Sequence, residues 1–402
     1  MERHIRILTE RKDYYRSLLL KLRTKEGFLL AGIPRFKGLF GRDSLIASME
    51  LLDYSPVTAK KTLEMLSRNQ GKKIDMKTGE EPGKVLHEFY GKKWNRTDGR
   101  AAATQRFPKS GTRYFYSVDS TPLFIIAASE YYRKTMDSGF IGKIRENIKS
   151  AMSWLSEYGI RDGLLTYNRS LYGGHLASMC WKDGCWGVYD RLRGDVAAVE
   201  AQAYAHRAME EFIFLAKKLD YGYDVRAVTN AMKKLKNKTG KLWIGKEGVY
   251  SPAASLDGNM IYSTTSSEGH LLYSSIPDRK HKNSIVRKLF GETMMTEYGI
   301  RTTASDDTYF DESEYQRGSV WFNDNWVIMQ GLLRHGFTEE YKELRGRILD
   351  YIIKEKYPKE YIGISASGAL MNEKKLKVKP CAVQAWTLGM FIDIVEDELR
   401  NA

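Results

Sequence analysis

The chain has 402 residues, a formal net charge of +14 and three cysteines, Cys180, Cys185 and Cys381. That length can bury a large core, and no apolar run approaches the length of a membrane span. The cysteines form neither a disulfide framework nor, with histidine, a metal-ligand spacing, so a reducing cytoplasm is the expected compartment. Basic residues are scattered over helix faces, with clusters only at Arg279-Lys280-His281-Lys282 and Lys374-Lys375-Lys377-Lys379. This pattern reads as a solvated surface rather than a nucleic-acid stripe, and it leaves room for an anionic substrate group.

The N-terminal stretch carries Ile5, Leu8, Tyr15, Leu18, Leu19 and Leu22 at helical spacing, which predicts a structural helix over 3–23 and no signal peptide. The same periodicity predicts helices over 43–54, 56–68, 121–134, 140–158, 195–218 and 223–236. Further helices are predicted over 283–290, 320–335, 339–355 and 382–399. Ser55-Pro56 and Thr121-Pro122 each set a capping hydroxyl before a proline at the first helical position. EYGIR occurs at 157–161 and again at 297–301, with Gly159 and Gly299 placed as helix stops. Ile160 and Ile300 then suit the apolar contact of a Schellman ending. No Pro/Ser/Gly-rich linker interrupts the series, so one domain over 1–402 is expected: a toroid of helical pairs with a pocket at one end.

Glycine- and aromatic-rich loops between the helices hold most of the polar residues. One helix entry, FGRDSLIASMELLDY (40–54), sets Arg42 and Asp43 at the mouth of a core helix. Asp43 or Ser44 as N-cap would account for an acid or a hydroxyl, but not for Arg42 or for Gly38 and Gly41. Trp and Tyr beside Asp, Glu and Arg suit a sugar. Rings cover the C–H faces while charged groups bond the hydroxyls.

Eight segments recur in a recognisable order: TKEGFLLAGIPRFKGLFGRDSLI, YSVDSTPLF, CWKDG, VEAQAYAHRAM, SSEGHLLYSSI, YGIRT, YQRGSVWFNDNW and PCAVQAW. From about residue 24 onward the chain thereby resembles the amylo-α-1,6-glucosidase domain of glycogen-debranching enzymes. It also resembles the wider group of inverting glycosidases that includes glucoamylases, trehalases and mannosylglycerate hydrolases. The resemblance implies an all-α (α/α)6 barrel with long loops and minor short β-hairpins. It implies a small carbohydrate substrate, no cofactor or metal, and neither nucleic acid nor membrane as partner; the oligomeric state stays open.

Residue by residue, the resemblance implies that Arg42 and Asp43, with Phe40 beside them, hold hydroxyls of the sugar whose bond is cut. Asp183, in a Trp-x-Asp loop, is the implied general acid, with Trp181 and Trp186 as its apolar wall; a plain Asp-Gly turn is the alternative. Glu360, before Tyr361, is the implied base. The debranching group also carries a glutamate in a glycine-x-x-Trp segment, which here reads GSVW with Val320 at that place. Glu312 and Glu314 are the fallback bases. His87, Glu88, Asp119, Lys182, Glu200, Gln202, His270, Trp321, Asn323 and Asp324 are candidates to line the pocket. Capping for Asp119, buried hydrogen bonding for His87 and core packing for Trp321 are the structural alternatives.

The chain starts almost at the barrel's first helix, without the large N-terminal part that accompanies debranching activity. The expected activity is therefore an exo-acting inverting hydrolase of short α-glucosides or α-1,6 branch-type glucosides. A hydrolase of a hexosyl-glycerate, trehalose or related disaccharide is the alternative, and the charged glycerate would suit the basic surface. A non-catalytic carbohydrate-binding protein on the same barrel is the other.

Overall fold

The computed structural model describes residues 2–90, 111–172 and 176–402. In chain order its first helices are α1 (Glu2–Leu22), α2 (Gly41–Glu50), α3 (Pro56–Arg68), α4 (Ser120–Thr135), α5 (Ser138–Lys143) and α6 (Arg145–Trp154). They continue with α7 (Val199–Lys218), α8 (Val225–Thr239), α9 (Arg279–Leu289), α10 (Phe322–His335), α11 (Thr338–Lys354) and α12 (Ala385–Asn401). A 3₁₀ segment, Ser266–Tyr273, lies between α8 and α9.

Burial sorts these elements into two layers. All ten residues of α2 are buried, as are all eight of the 3₁₀ segment. In α9 only Ile285, Val286 and Leu289 are. A helix without a polar face must sit inside, and one with a single apolar stripe must lie against it. Accordingly α2, α4, α7, the 3₁₀ segment, α10 and α12 each pack on the next, and α12 closes the ring on α2. Outside them, α1 packs on α12, α3 on α2 and α4, α6 on α4, α8 on α7, α9 on the 3₁₀ segment and α11 on α10. The architecture is an all-α (α/α)6 barrel, with short antiparallel strands in its loops.

Local chemistry moves several boundaries from where periodicity puts them. The 3₁₀ segment reads as a loop in sequence because SSEGHLLY opens on serines and contains a glycine. Arg279 starts α9, four residues before the apolar pattern begins, because Asp278 caps it by accepting the His281 N–H. Val196–Ala198 pairs antiparallel with Ala253–Ser255, so α7 begins only at Val199. The predicted 140–158 helix breaks into α5, α6 and a π turn, Leu155–Gly159. Gly159 does end that helical run. Gly299 does not end a helix; it sits at φ +129° in a hairpin between Met295–Thr296 and Gly299–Ile300.

The prolines differ too. Pro56 is at the start of α3, but the Ser55 hydroxyl bonds the Thr58 hydroxyl (3.0 Å) rather than a backbone N–H. Pro122 lies in the first turn of α4, where a missing N–H leaves nothing unsatisfied, and Thr121 Oγ1 accepts the Val85 N–H at 2.9 Å. All three cysteines are buried and unbridged. Among the described residues no helix is long and apolar enough to cross a membrane.

The entry to α2 answers why its glycine is there. Gly41 donates to His87 O at 2.8 Å, and a Cβ at this position would run into the Leu86 carbonyl and lie 2.7 Å from Ser120 Oγ. Gly346, on α11, has no atom within 4 Å of a built Cβ. Gly41→Ala is therefore expected to lose about 1–3 kcal/mol in urea denaturation. Gly346→Ala should gain about 0.5–1 kcal/mol, since an alanine suits a helix interior better. Equal stability of the two variants would contradict this packing.

Candidate active site

The inner helices begin at one mouth of the barrel, and polar residues collect there. Arg42 and Asp43 lie in the first turn of α2, Asp119 precedes α4, and Glu200 opens α7. His270 lies on the 3₁₀ segment, Asn323 and Asp324 open α10, and Gln384 precedes α12. Helix N-termini carry partial positive charge, which favours carboxylates at this end.

Arg42 organises the group. Its Nη1 donates to Asp119 Oδ2 at 2.7 Å and its Nη2 to Asp183 Oδ2 at 2.8 Å. Phe40, not Asp43 or Ser44, is the N-cap residue of α2, and it makes no side-chain cap. Asp119 likewise forms no cap hydrogen bond to α4, because its carboxylate faces Arg42. The guanidinium fork expected to grip sugar hydroxyls bonds a carboxylate through each Nη, while its Nε has no hydrogen-bond partner. Burial opposes the Arg42 charge, yet Asp119, Asp183 and Asp43 together hold its pKa above the usual value.

Asp43 and Asp183 feel the opposite balance. Burial pushes Asp43 up to about 7; Arg42 opposes this, while Asp183 and Glu360 add to it. Burial likewise raises Asp183 to about 6, against Arg42 and with Asp119 and Glu360. The Asp183 side chain keeps 23% of its surface exposed, so a ligand can reach it. Asp43 Oδ1 accepts from Gln384 Nε2 at 3.0 Å, which ties α2 to the residue before α12.

Glu360 is 1% exposed and accepts three hydrogen bonds. Arg35 Nη2 (2.6 Å) and the Cys381 N–H (2.7 Å) reach Oε2, and the Tyr315 hydroxyl donates to Oε1. Burial raises its pKa, while Arg35, Tyr315 and the Cys381 N–H work the other way by bonding the charged form. Tyr315 also touches the Asp183 loop, since a Cβ on Gly184 would lie 2.6 Å from its ring. The fallback acids sit otherwise. Glu312 accepts the Ala366 N–H, and Glu314 pairs with Lys377 at 2.8 Å.

Aromatic rings build the wall. Trp181 stacks on His270 (6.0 Å between centroids) and meets Trp321 edge-on at 5.7 Å. Trp321 stacks on Tyr361 at 5.1 Å, and Tyr315 stands edge-on to both. Trp186 does not join them: it is 46% exposed with Arg169 over its ring, because the chain turns outward after Cys185. Phe40 packs edge-on to Phe36, Tyr90 and His87. Glu88 is held beside it, paired with Phe40 across the short strands at 39–40 and 88–89.

A second tier of residues lies behind this wall. His270 is fixed at both nitrogens, Nε2 to Asp324 Oδ1 (2.6 Å) and Nδ1 to the Tyr204 hydroxyl (2.7 Å). Lys182 Nζ donates to Thr302 O at 2.8 Å, and burial lowers its pKa. Glu200 is sealed from solvent with no side-chain partner, its pKa raised by burial against its own backbone N–H and the nearby His270 and Lys182. Asn323 is buried with Oδ1 unbonded. Gln202 belongs to the frame: its amide is spent on Leu165 N and O and on Ala198 O, leaving nothing for a sugar. Arg35, Tyr315, Cys381 and Gln384 were not candidates from sequence, although each lies in or beside a recognisable motif.

Residues 39–364 match the model of the mannosylglycerate hydrolase MGH1-like glycoside hydrolase domain. The chain belongs to that family. A mannosylglycerate hydrolase of Rubrobacter radiotolerans is 28% identical over 159 residues, 39% of this chain and 34% of that protein. Mannosylglycerate hydrolase MGH2 of Selaginella moellendorffii is 25% identical over 134 residues, 33% of this chain and 28% of that protein. The matched stretch thus spans about a third of these curated relatives. In fold, the chain is similar to the GH63 mannosylglycerate hydrolase of Thermus thermophilus solved with Tris, with TM-score 0.72 and 15% identity over 96% of this chain and 99% of that one. Another structure of the Thermus enzyme, with Tris and D-glycerate, gives TM-score 0.71 at 14% identity, over 96% of this chain and 100% of that one. The family is therefore closer to mannosylglycerate hydrolases than to the amylo-α-1,6-glucosidase domain that the loop order first suggests.

Arg42→Ala would strip two carboxylates of their shared counter-charge. We expect it to cost about 3–5 kcal/mol of folding stability in urea denaturation. Asp43→Asn keeps the bond from Gln384 and should cost much less. Similar, small losses in both variants would move Arg42 from the frame to the ligand.

Proposed function

We propose that this protein is an inverting hydrolase that cleaves an α-hexosyl-glycerate, with Asp183 as general acid and Glu360 as general base, in one catalytic domain spanning 1–402. The observation that carries the reading is the contrast between these two buried carboxyls. Asp183 is raised to about 6 and partly exposed, with Oδ1 free of Arg42. It can hold a proton and hand it to the leaving oxygen. Burial raises Glu360 as well, but three donors favour its charged form, and as a carboxylate it can draw a proton from water. Inverting hydrolysis needs such a pair, one acid and one base on opposite faces of the anomeric carbon.

In this mechanism Arg42 aims Asp183 and lowers its pKa enough for the proton to leave. Tyr315 and Arg35 hold Glu360 toward the water, and Asp43 accepts from sugar hydroxyls. The stacked Trp321 and Tyr361 give the sugar an apolar flank. The glycerate aglycone is supported by the family, by the D-glycerate bound in the Thermus enzyme, and by the +14 charge of this chain, which favours an anionic substrate.

Hexose release from α-mannosyl- and α-glucosyl-glycerate is the direct test. Turnover of only trehalose or isomalto-oligosaccharides would reject the glycerate. NMR of the first sugar formed should show the β-anomer, and an initial α-anomer would reject the paired-carboxylate assignment. Asp183→Asn should lose least on a glycosyl fluoride, which needs little protonation, whereas Glu360→Gln should lose activity on both kinds of substrate. Because the acid must be protonated, kcat/KM should fall as pH rises through about 6. A rate still climbing well above that pH would remove Asp183 from the role.

A further inference from the structure

The opposite mouth of the barrel holds a cavity of about 520 Å³, which is ample for a small molecule. Glu50 is the last residue of α2 and Tyr273 the last of the 3₁₀ segment, and both line it. Helix C-termini present unpaired carbonyls and partial negative charge, so the wall already favours a cation.

The side chains add to that bias. Arg207 is engaged by Glu130 (2.9 Å) and Glu211 (2.8 Å), and Arg334 by Glu210 (2.7 Å). Asp53, at the exposed rim, pairs with Lys134 at 2.5 Å. Two carboxyls remain. Glu50 is 2% exposed, and no side chain bonds either of its oxygens; the Met390 N–H alone favours its charged form. A Cβ at position 389 would lie 2.5 Å from Glu50 Oε2, so Gly389 is what makes room for this carboxylate. Asp393 shares the cavity lining and acts electrostatically on Glu50.

We propose that this cavity is a binding site for an organic ammonium ion, held between Glu50 and Asp393 against the Tyr273 and Trp326 rings. Among the described residues no cluster of three His, Cys, Asp or Glu is arranged for a metal ion, which makes an ammonium the better fit. A cation already lies over one of these rings, with Arg207 5.4 Å from the Tyr273 centroid. Burial, then the neighbouring acids, raises both carboxyls, Asp393 to about 6. Arg345 and Arg400 oppose the rise at Asp393 without cancelling it, and no cation acts on Glu50, so an ammonium would add counter-charge where it is short.

Calorimetry with putrescine as probe, at mildly alkaline pH, tests the proposal, with butanediol as the uncharged control. Putrescine should bind at one site and butanediol should not. Glu50→Gln and Asp393→Asn should each weaken binding at least about tenfold, while Asp183→Asn, at the other mouth, should bind as the unsubstituted protein does. If Glu50→Gln does not fold, the partly exposed Asp393→Asn carries the test alone. No binding heat, or binding undiminished in the carboxyl variants, would overturn the site. Loss of binding in Asp183→Asn would place the amine at the Asp183 mouth and would equally overturn it.

Discussion

Everything at the active mouth is arranged around one buried guanidinium. Arg42 spans from the first turn of α2 to Asp119 at the start of α4 and to Asp183 on the loop beyond. A lysine could not do this, because a point charge lacks the rigid fork that bonds two acids in two directions. The fork therefore sets where α2 and α4 begin relative to each other, and where the Asp183 loop lies over both. Charge balance follows from the same contact. Asp43, Asp119 and Asp183 stand near a single arginine, so the cluster holds more acid than base. Burial raises Asp43 to about 7 and Asp183 to about 6 against Arg42, and the surplus of acid adds to that rise.

Glu360 lies in a differently built environment. It is as buried as Asp119, but its neighbours are donors: a guanidinium, a hydroxyl and a backbone N–H. Burial raises both carboxyls, but Glu360 has three donors opposing that rise where Asp183 has the single guanidinium of Arg42. Tyr315 joins the two environments, with its hydroxyl on Glu360 and its ring against Gly184.

Much of this could be read from the chain, and the rest could not for definite reasons. The α2 helix, its Arg-Asp entry and the Trp-x-Asp loop were legible because each is a local pattern of apolar spacing or aromatic company. The 3₁₀ wall segment was not, since serines and a glycine hide its burial. Gln384 and Arg35 were missed because their partners lie 341 and 325 residues away in the chain. Cys381 acts through its backbone N–H, which leaves no mark on residue type. Gln202 misled for the converse reason. An amide on a small-residue helix looks available, yet the hairpin strand at Leu165 consumes it.

The departure at Val320 also has a structural meaning. The resemblance to the debranching group leads one to look for an acid at this place, where the chain has an aliphatic residue that is fully buried. Val320 exchanges backbone hydrogen bonds with Ile362, at 2.9 and 3.0 Å, and bridges to Arg301 on its other side. That pairing carries Tyr361 onto the Trp321 ring and brings Glu360, one residue earlier, to Tyr315. A carboxylate at position 320 would have to be desolvated among the residues that make the bridge, at a cost that only specific partners could offset. Here the valine seals the pairing instead, and Glu360 lies on the segment it pairs with.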